Sequence, residues 1–492
     1  MAIADPSSSP SPKPAAGLLN ESDAMRQAKE SGKPVEVSAL TDERTLVTAD
    51  PGTGLFSAEL TAGVARVRDA KGGWREPLTK LVQGEDGLWR PEATVAQIVV
   101  SNGGAREPLV SLADGEARVS LGWPEKLPEP VVEGATATYR EVLSGVDLVA
   151  RADVESVETY LVVKSREAAK NPRVRKAAFG WSAPGLTVKS VGNGSRSLLD
   201  GKGVERLVLP PARMWDSSGA RKNRVRAEEI VAEAAEAKVA DVGLKVAEGT
   251  LTASVVGSLL DDPATVYPVI IDPSVSASQT YVVRTTETFN TINDMSVDGK
   301  IGYNGWTSPY YKSRMFYQFK WPLYNGVVIG SEQVVSSQFE YVQKHSPQND
   351  CSDNSYGPAV RLDFTGVIDS STTWGGPAPH SKVTSVTNDY AVGNEAKNCG
   401  TYRQKWNVTQ MAQQELANYD RTTVTVRVSS SDESDKKGWR HYQNASGSSP
   451  KLVVNYQQAP LAPTNVKAWP LTAGGKVLSP VPLLSGTMRL PS

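Results

Sequence analysis

The sequence predicts an all-β protein with two β-sandwich or jelly-roll-like domains in tandem, a disordered N-terminal leader and a fragmentary C-terminal tail. Among 492 residues there are 41 glycines and 32 prolines, which is typical of many short strands joined by tight turns. Residues 315–320 show the two-residue period of a strand that is apolar on one face. Thirteen of the 16 tyrosines lie beyond residue 280, which indicates that the two halves are separate domains.

The predicted boundaries divide the chain into four segments. Residues 1–34 are rich in proline, serine, alanine and lysine, and we expect a disordered leader. Within it, Glu21–Glu30 could form a short helix, but its apolar face is too thin to predict firm docking. Residues 35–273 form the N-terminal β-rich domain, 274–457 the second sandwich, and 458–492 a linker with the start of a further module. Pro273 favours an extended backbone at the end of the first domain, which makes this position a natural domain boundary.

Predicted strands follow one another through the first domain. They are Leu55–Leu60, Val64–Arg68, Val95–Val100, Ala117–Trp123, Ala137–Val149, Val157–Lys164 and Lys245–Val256. Asn102 followed by two glycines is typical of a hairpin turn. The alanine- and glutamate-rich stretch Glu228–Lys238 is the best helix candidate.

In the second half, strands are predicted at Gln279–Arg284, around Phe316, at Val334–Gln343, at Thr422–Ser429 and at Lys451–Tyr456, with a short helix within Trp406–Leu416. Three motifs there occur in a fixed order: Lys312–Pro322, Trp374–Pro379, and Gly438–Tyr442 leading into Pro450–Tyr456. Together they resemble the DNRLRE domain, a β-sandwich module of secreted bacterial proteins that is related to carbohydrate-binding modules.

The first half resembles a family as well. Ala137–Lys164 and the closing phrase Val266–Ser274 are similar to the N-terminal β-domain of large secreted actinobacterial proteins, which carry DNRLRE, LamG-like or RHS-repeat regions further along. Pro460–Val466 resembles the start of a fibronectin type III module, and about 30 residues are too few to complete one. These resemblances imply a secreted or surface protein, and we expect downstream domains of a longer chain as possible partners.

Cys351 and Cys399 are the only cysteines, and both fall in loop-like sequence. Two thiols without histidines at zinc spacing do not suggest a metal site. The simplest interpretation is one disulfide between two long loops, and two unrelated reduced thiols are the alternative. A disulfide persists in an oxidising compartment, so we expect an extracellular or cell-surface location. No signal peptide is visible, and we therefore expect the chain to begin downstream of the true start.

Charge and motifs narrow the function classes. A formal net charge of -1 and a pI near 6.4 argue against a nucleic-acid partner. No apolar stretch is long enough to span a membrane. The sequence has no Gly-x-Ser-x-Gly, His-Glu-x-x-His, Walker or dinucleotide motif. We therefore predict a non-catalytic protein, with a polysaccharide-active hydrolase or lyase as the enzymatic alternative, because carboxylate pairs cannot be recognised from sequence.

Sugar recognition needs flat aromatic faces for the rings and polar groups for the hydroxyls. Seven residues in two clusters meet that description and are the candidate ligand-binding residues: Tyr303, Trp306, Tyr310, Tyr311, Trp439, Arg440 and Tyr442. Packing at the edge of the sandwich is the alternative role for about half of them. No cofactor is predicted, although a calcium site is conceivable near Asn293, Asp294 and Asp298, where turn chemistry is the favoured interpretation.

These observations predict a secreted or cell-surface protein that binds polysaccharide or cell-wall glycan through residues 274–457. The alternative is the N-terminal structural shell of an RHS or polymorphic-toxin-type protein whose effector region is missing.

Overall fold

The structure is a computed structural model. It describes residues 18–458, except 70, 105–107, 192–193, 221–222, 235, 248, 256–257, 278–280, 292–297, 349, 353–355, 389–393, 395–398 and 445–448, together with the backbone of 464–469 and 483–487. Strands make up 46% of the chain and helices 10%, so the predicted all-β class is confirmed.

The described helices and strands have the following bounds. Helices are α1 (Glu21–Ser31), α2 (Pro172–Arg175), α3 (Ala227–Val231), α4 (Ser258–Asp261) and α5 (Thr409–Asn418), and 3-10 turns occur at Ala168–Lys170, Ser331–Gln333 and Lys436–Gly438. Strands up to residue 277 are β1 (Val35–Glu36), β2 (Thr45–Ala49), β3 (Phe56–Thr61), β4 (Val67–Arg68), β5 (Trp74–Arg75), β6 (Leu78–Gln83), β7 (Trp89–Ala93), β8 (Gln97–Val100), β9 (Val110–Asp114), β10 (Ala117–Gly122), β11 (Val131–Glu133), β12 (Thr136–Leu143), β13 (Val146–Ala152), β14 (Ser156–Val163), β15 (Lys176–Ser182), β16 (Thr187–Ser190), β17 (Arg196–Leu199), β18 (Glu205–Leu209), β19 (Arg213–Trp215), β20 (Val239–Ala247), β21 (Thr250–Val255), β22 (Val269–Asp272) and β23 (Val275–Ala277). Later strands are β24 (Val282–Thr286), β25 (Gly299–Asn304), β26 (Tyr311–Lys320), β27 (Leu323–Tyr324), β28 (Val327–Val328), β29 (Val334–His345), β30 (Val360–Thr365), β31 (Val386–Asn388), β32 (Tyr402–Asn407), β33 (Thr423–Ser430), β34 (Arg440–Tyr442), β35 (Lys451–Tyr456), β36 (Thr464–Trp469) and β37 (Leu483–Thr487).

Strands β6 to β23 form the first β unit (residues 78–277). One sheet runs β6-β7-β8-β9-β10-β15-β21-β20, and the other contains β11-β12-β13-β14-β22-β19 with β23-β18-β17-β16. Strand β20 joins the sheets because it pairs with β21 and also with β19. One apolar core that includes Tyr139, Leu148, Leu161, Phe179 and Leu251 fills the space between them.

Strand β14 is covered on both faces of its sheet, since all eight of its residues are buried, including the polar Ser156, Glu158 and Thr159. Val157, Leu161 and Val163 contribute to the core of the first unit. The alternate residues Tyr160 and Val162 belong to a second apolar cluster on the opposite face of the sheet. Both faces of this strand are therefore covered, and the cluster on the outer face includes Tyr311 and Trp439 from the second half of the chain.

The second β unit comprises residues 21–62 and 281–456. Its first sheet runs β1-β2-β3-β35-β29-β34-β25, and β32 also pairs with β29. Its second sheet contains β24-β26-β33-β30-β31. Strand β26 pairs with β25 and thereby connects the two sheets. Their facing side chains, Tyr317 and Val426 on one sheet and Phe339 and Tyr341 on the other, share one core.

The placement of residues 35–62 corrects the predicted domain boundary. We assigned them to the N-terminal domain, but β3 is hydrogen-bonded along its length to β35, from Phe56 opposite Tyr456 to Thr61 opposite Lys451. The edge of a sheet offers unpaired backbone groups to any strand of the chain, so sequence order does not determine the partner. The second unit is therefore assembled from both ends of the chain.

Part of the predicted leader is also ordered, which corrects the expectation for residues 18–34. Helix α1 is capped by the Asn20 side chain, which accepts from the Asp23 N–H at 2.9 Å, and it ends at Gly32 with φ 67°. Ala24, Met25 and Ala28 are buried in the core of the second unit. The narrow apolar face is sufficient for docking because two of its three residues are small alanines that allow close approach. Residues 1–17 lie outside the described residues.

Cys351 and Cys399 form the predicted disulfide, which spans 48 residues of sequence. Between its ends, the Asn394 side chain donates to the backbone carbonyls of Ser346, at 2.6 Å, and Gln348, at 2.9 Å. The two loops are therefore joined by covalent and polar contacts.

None of the helices in the described parts of the chain is long and apolar enough to cross a membrane.

Candidate functional site

Three of the seven predicted ligand residues lie at the surface, in or beside the loop between β25 and β26. The exposed fractions of Trp306 and Tyr310 are 45% and 57%, and Tyr303 is half-buried. The Trp306 indole N–H donates to the Lys436 carbonyl at 2.9 Å, and the Lys436 ammonium lies 4.2 Å from the centre of the tryptophan ring. We call Tyr303, Trp306, Tyr310 and Lys436 the aromatic loop surface.

Glycines and one buried amide give this loop its shape. Gly302 has φ +85°, and a Cβ there would collide with the carbonyl oxygen of Gly438. A Cβ on Gly305 would lie 2.7 Å from the Tyr303 ring. The buried Asn304 side chain donates to the Thr307 carbonyl at 3.1 Å and closes the turn. The loop is thus pressed against the Lys436–Gly438 turn, and Trp306 is held at its edge while its ring remains exposed.

The other four predicted ligand residues, Tyr311, Trp439, Arg440 and Tyr442, are buried, which corrects their assignment as ligand contacts. The Arg440 guanidinium donates to the Tyr356 carbonyl at 2.8 Å. The Tyr442 ring stacks on Tyr341 at 4.3 Å, and its hydroxyl donates to Gln404 at 2.7 Å. These side chains stabilise the fold, and they are inaccessible to a polysaccharide at the surface.

Tyr311 and Trp439 are buried for a different reason, which is the contact between the two β units. Their rings meet edge to face at 5.4 Å. Both belong to an apolar cluster that also contains Tyr160, Trp215 and Ile270 of the first unit. The sequence could not reveal this contact, because the covering residues lie from 41 to 279 positions away along the chain.

A buried charged group lies beside this apolar cluster, and its centre is Glu233, two residues beyond α3. The Lys300 ammonium lies 2.5 Å from one carboxylate oxygen of Glu233, and Arg213 lies 2.9 Å from the other. Arg284 is 3.5 Å from the same carboxylate. We call Glu233, Lys300, Arg213 and Arg284 the Glu233 cluster. It joins the first unit, which supplies Glu233 and Arg213, to the second, which supplies the other two cations.

Burial and neighbouring charge act in opposite directions on these groups. Burial raises the pKa of Glu233, but Lys300, Arg213 and Arg284 outweigh that effect and hold the pKa well below its usual range. Burial lowers the pKa of Lys300 to about 8 against the opposing influence of Glu233. At neutral pH the carboxylate and the ammonium are therefore both charged.

A cavity of about 180 Å³ opens next to the Glu233 cluster, between the two units. The first unit contributes Arg151, Tyr160, Arg213, Trp215, Val231, Ala232, Glu233 and Asp272 to its lining, and the second contributes Asp298, Lys300, Lys344 and Asn444. Because successive side chains of a strand point to opposite faces of the sheet, one set of side chains on each of β13, β14, β19 and β22 faces away from the core. The sequence does not indicate that these outward polar residues meet a second unit.

The residues considered for calcium are only partly described. Asn293 and Asp294 lie outside the described residues, and the Asp298 carboxylate is 2.9 Å from the Lys344 ammonium. Within the parts of the chain that the structure describes, no group of three or more histidine, cysteine, aspartate or glutamate side chains is arranged to hold a metal ion.

No family model and no curated protein matches this sequence. Comparison with solved structures finds a β-porphyranase of glycoside hydrolase family 86 from the human gut bacterium Bacteroides plebeius, at 9% identity and a TM-score of 0.17. That match covers 67% of this chain and 39% of the porphyranase. The N-terminal domain of the Streptococcus gordonii adhesin Sgo0707 matches at 9% identity and a TM-score of 0.12, covering 78% of this chain and 94% of the adhesin domain. Such low TM-scores carry no argument about function.

Proposed function

We propose that this protein is a non-catalytic secreted or cell-surface protein that binds polysaccharide or cell-wall glycan through the aromatic loop surface. The observation that supports this most directly is the exposure of both Trp306 and Tyr310 in one loop. Exposed aromatic rings on a rigid support can stack on the C–H face of sugar rings at small entropic cost.

The support beneath Trp306 strengthens the proposal. Its N–H is fixed by the Lys436 carbonyl, so the ring loses little rotational freedom when a ligand binds. The Lys436 ammonium beside the ring can donate to sugar hydroxyls. The disulfide is in keeping with an oxidising compartment, and we propose an extracellular or cell-surface location.

The proposal retains the relation of residues 274–457 to the DNRLRE domain that their motifs suggest. It restricts the binding role to Tyr303, Trp306 and Tyr310, because the other four predicted residues are buried. Strands from both ends of the chain form the sheet that supports the loop, so binding experiments need the full chain.

A glycan array, followed by pull-down with insoluble cell-wall polysaccharide, tests this function. We expect Trp306→Ala to lower the apparent affinity for the retained glycan about fivefold or more, because stacking of a sugar ring on an aromatic face contributes about 1 kcal/mol or more. Trp74→Ala is the matched control, because the guanidinium of Arg68 lies 3.7 Å from the centre of the Trp74 ring. Trp74 is also far from this loop along the chain. Absence of any retained glycan, or equal retention by both variants, would refute the proposal.

A further inference from the structure

The short turn Lys436–Gly438 has an aromatic residue on each of two sides, and the proposed function uses only the side of Trp306. We propose that the Tyr356 ring and the Lys437 ammonium form a second platform of the same glycan-binding surface, so that this surface takes an internal segment of an extended polysaccharide chain. This inference rests on the proposed function and adds to it the length and the binding mode of the ligand. We call Lys436–Gly438 the lysine turn.

The geometry of the lysine turn directs its two lysine side chains to different loops. It is a 3-10 turn, and successive side chains of a 3-10 helix are about 120° apart around the axis. The Lys436 ammonium lies 4.2 Å from the centre of the Trp306 ring, and the Lys437 ammonium lies 5.3 Å from the centre of the Tyr356 ring. Each loop therefore presents one aromatic ring with one ammonium group beside it.

Two successive carbonyl groups of the lysine turn anchor the two loops. The Lys436 carbonyl accepts from the Trp306 indole N–H at 2.9 Å. The Lys437 carbonyl accepts from the buried Arg440 guanidinium, which also donates to the Tyr356 carbonyl at 2.8 Å. Arg440 is therefore a positioning residue for the second platform, although it is itself inaccessible to a ligand.

Glycines bring both loops close to the lysine turn. A Cβ on Gly305 would lie 2.9 Å from the Lys436 Cβ. Gly357 has φ +81°, and a Cβ there would lie 2.8 Å from the Lys437 Cβ and 2.6 Å from the Lys437 carbonyl oxygen. Since glycine lacks a Cβ, both loops can pack this closely. The two platforms are thereby held on one support and lose little freedom when a ligand binds.

The second platform is accessible to a ligand, because Tyr356 is half-buried and Lys437 is exposed. Among the described residues, no carboxylate lies within ion-pair distance of the ammonium group of Lys436 or Lys437. Both ammonium groups can therefore donate to sugar hydroxyls. The two platforms offer the same chemistry, which is an aromatic face for the C–H side of a sugar ring and a donor for its hydroxyls.

A ligand that covers both platforms has to extend across the lysine turn. One sugar unit would stack on Trp306, another would contact Tyr356, and the units between them would lie over the turn. Because one support holds both platforms, the second contact is intramolecular, and a chain that reaches it binds more tightly than a chain that covers Trp306 alone. A terminal sugar can use only one platform, so internal segments of a polysaccharide are the favoured ligand.

Calorimetric titration of the full chain with oligosaccharides of increasing length tests the proposal. The probes, from a single sugar to an octasaccharide, are cut by partial acid hydrolysis from the polysaccharide that the full chain retains in the pull-down. For the wild type we expect the affinity to rise with length, with a further rise of about fivefold once the chain reaches Tyr356. Tyr356→Ala should lose this further rise and should bind short oligosaccharides as the wild type does. A disturbed fold would weaken the binding of short ones as well.

Tyr267→Ala is the matched control, because Tyr267 is a half-buried tyrosine of the first unit with the Arg166 guanidinium 5.5 Å from its ring centre. It should bind every length as the wild type does. Trp306→Ala should weaken binding at every length. If it does so while wild type and Tyr356→Ala show the same dependence on length, the second platform is wrong and the proposed function stands. A pull-down that retains no polysaccharide would refute both.

Discussion

At the scale of single residues, Glu233 has the most distinctive electrostatic surroundings. Its folded-state pKa is held well below the value near 4.5 expected in the unfolded chain, so its charge stabilises the fold above about pH 4.5. That contribution is lost as the pH falls through the folded-state pKa. Between pH 3 and 7, Lys300 keeps its charge because its pKa is about 8. We therefore expect the stability difference between wild type and Glu233→Gln to be large at pH 7 and to shrink below pH 4.5.

Urea unfolding at pH 7, 5, 4 and 3 measures this difference. At pH 7 we expect Glu233→Gln to lower the free energy of unfolding by about 3–5 kcal/mol, because three buried cations lose their shared partner. Glu129→Gln, which changes an exposed glutamate of the first unit, should differ little from wild type at every pH. A Glu233→Gln effect that is the same at pH 7 and pH 3 would contradict the proposed ionisation.

Local sequence predicts some residue environments and not others. Trp306 and Tyr310 lie among glycine, asparagine, serine and proline, where few neighbours are available to bury them, and they are exposed. The two cysteines had only each other as partners and are joined. The sequence around Trp439 is equally consistent with ligand binding and with packing inside the fold. Its neighbours in space include Trp215 and Tyr160, which no local pattern around residue 439 can indicate.

At the scale of elements, the N-terminal strands have the most unexpected partners. Phe56 on β3 is buried and lies 5.5 Å from the ring of Tyr456 on β35 and 6.1 Å from that of Tyr324. We expect Phe56→Ala to lower the free energy of unfolding by about 3–5 kcal/mol through loss of burial and the cavity left behind. Hydrogen exchange should accelerate most in β35 and β2, and less in strands β8 to β10 of the first unit, which belong to a different apolar core.

Thr53→Ala serves as the control in the same segment, since Thr53 is in an exposed turn where its hydroxyl donates to Asp50 at 2.8 Å. It should change the stability by less than about 1 kcal/mol. After Phe56→Ala, exchange that accelerates more in β8 to β10 than in β35 and β2 would support the boundary that the sequence suggested, with residues 35–62 in the first unit.

Strand positions themselves were largely predictable, because alternation of apolar and polar residues is a local property. The sequence predicted strands within 55–60, 117–123, 157–164 and 451–456, and the structure has strands at all four places. Pairing partners were not predictable, since β3 and β35 are about 390 positions apart and any strand with one apolar face could occupy that edge. The helix candidate Glu228–Lys238 is shorter in the structure, because α3 ends at Val231 and the backbone at Ala232 is extended. Glu233, just beyond this end, contacts Lys300 of the second unit.

At the scale of the whole molecule, the contact between the units combines apolar, charged and polar interactions. The apolar cluster brings Trp215 and Tyr160 against Tyr311 and Trp439. The Glu233 cluster lies beside it, and farther along the contact the Ser370 hydroxyl donates to Glu205 at 2.9 Å. Because these contacts bury large aromatic side chains, neither unit can unfold without exposing apolar surface on the other.

Thermal unfolding should therefore be a single calorimetric transition, although chains of this length often unfold in several steps. Two tryptophans allow the coupling to be tested separately from stability, since Trp439 is 2% exposed in the contact between units and Trp321 is 3% exposed inside the second unit. Each change to alanine should cost about 3–5 kcal/mol. Trp321→Ala should move the single transition to lower temperature, whereas Trp439→Ala should divide it into two because it weakens the contact itself. Two transitions in the wild type, or one transition in both variants, would show that the units are not coupled through Trp439.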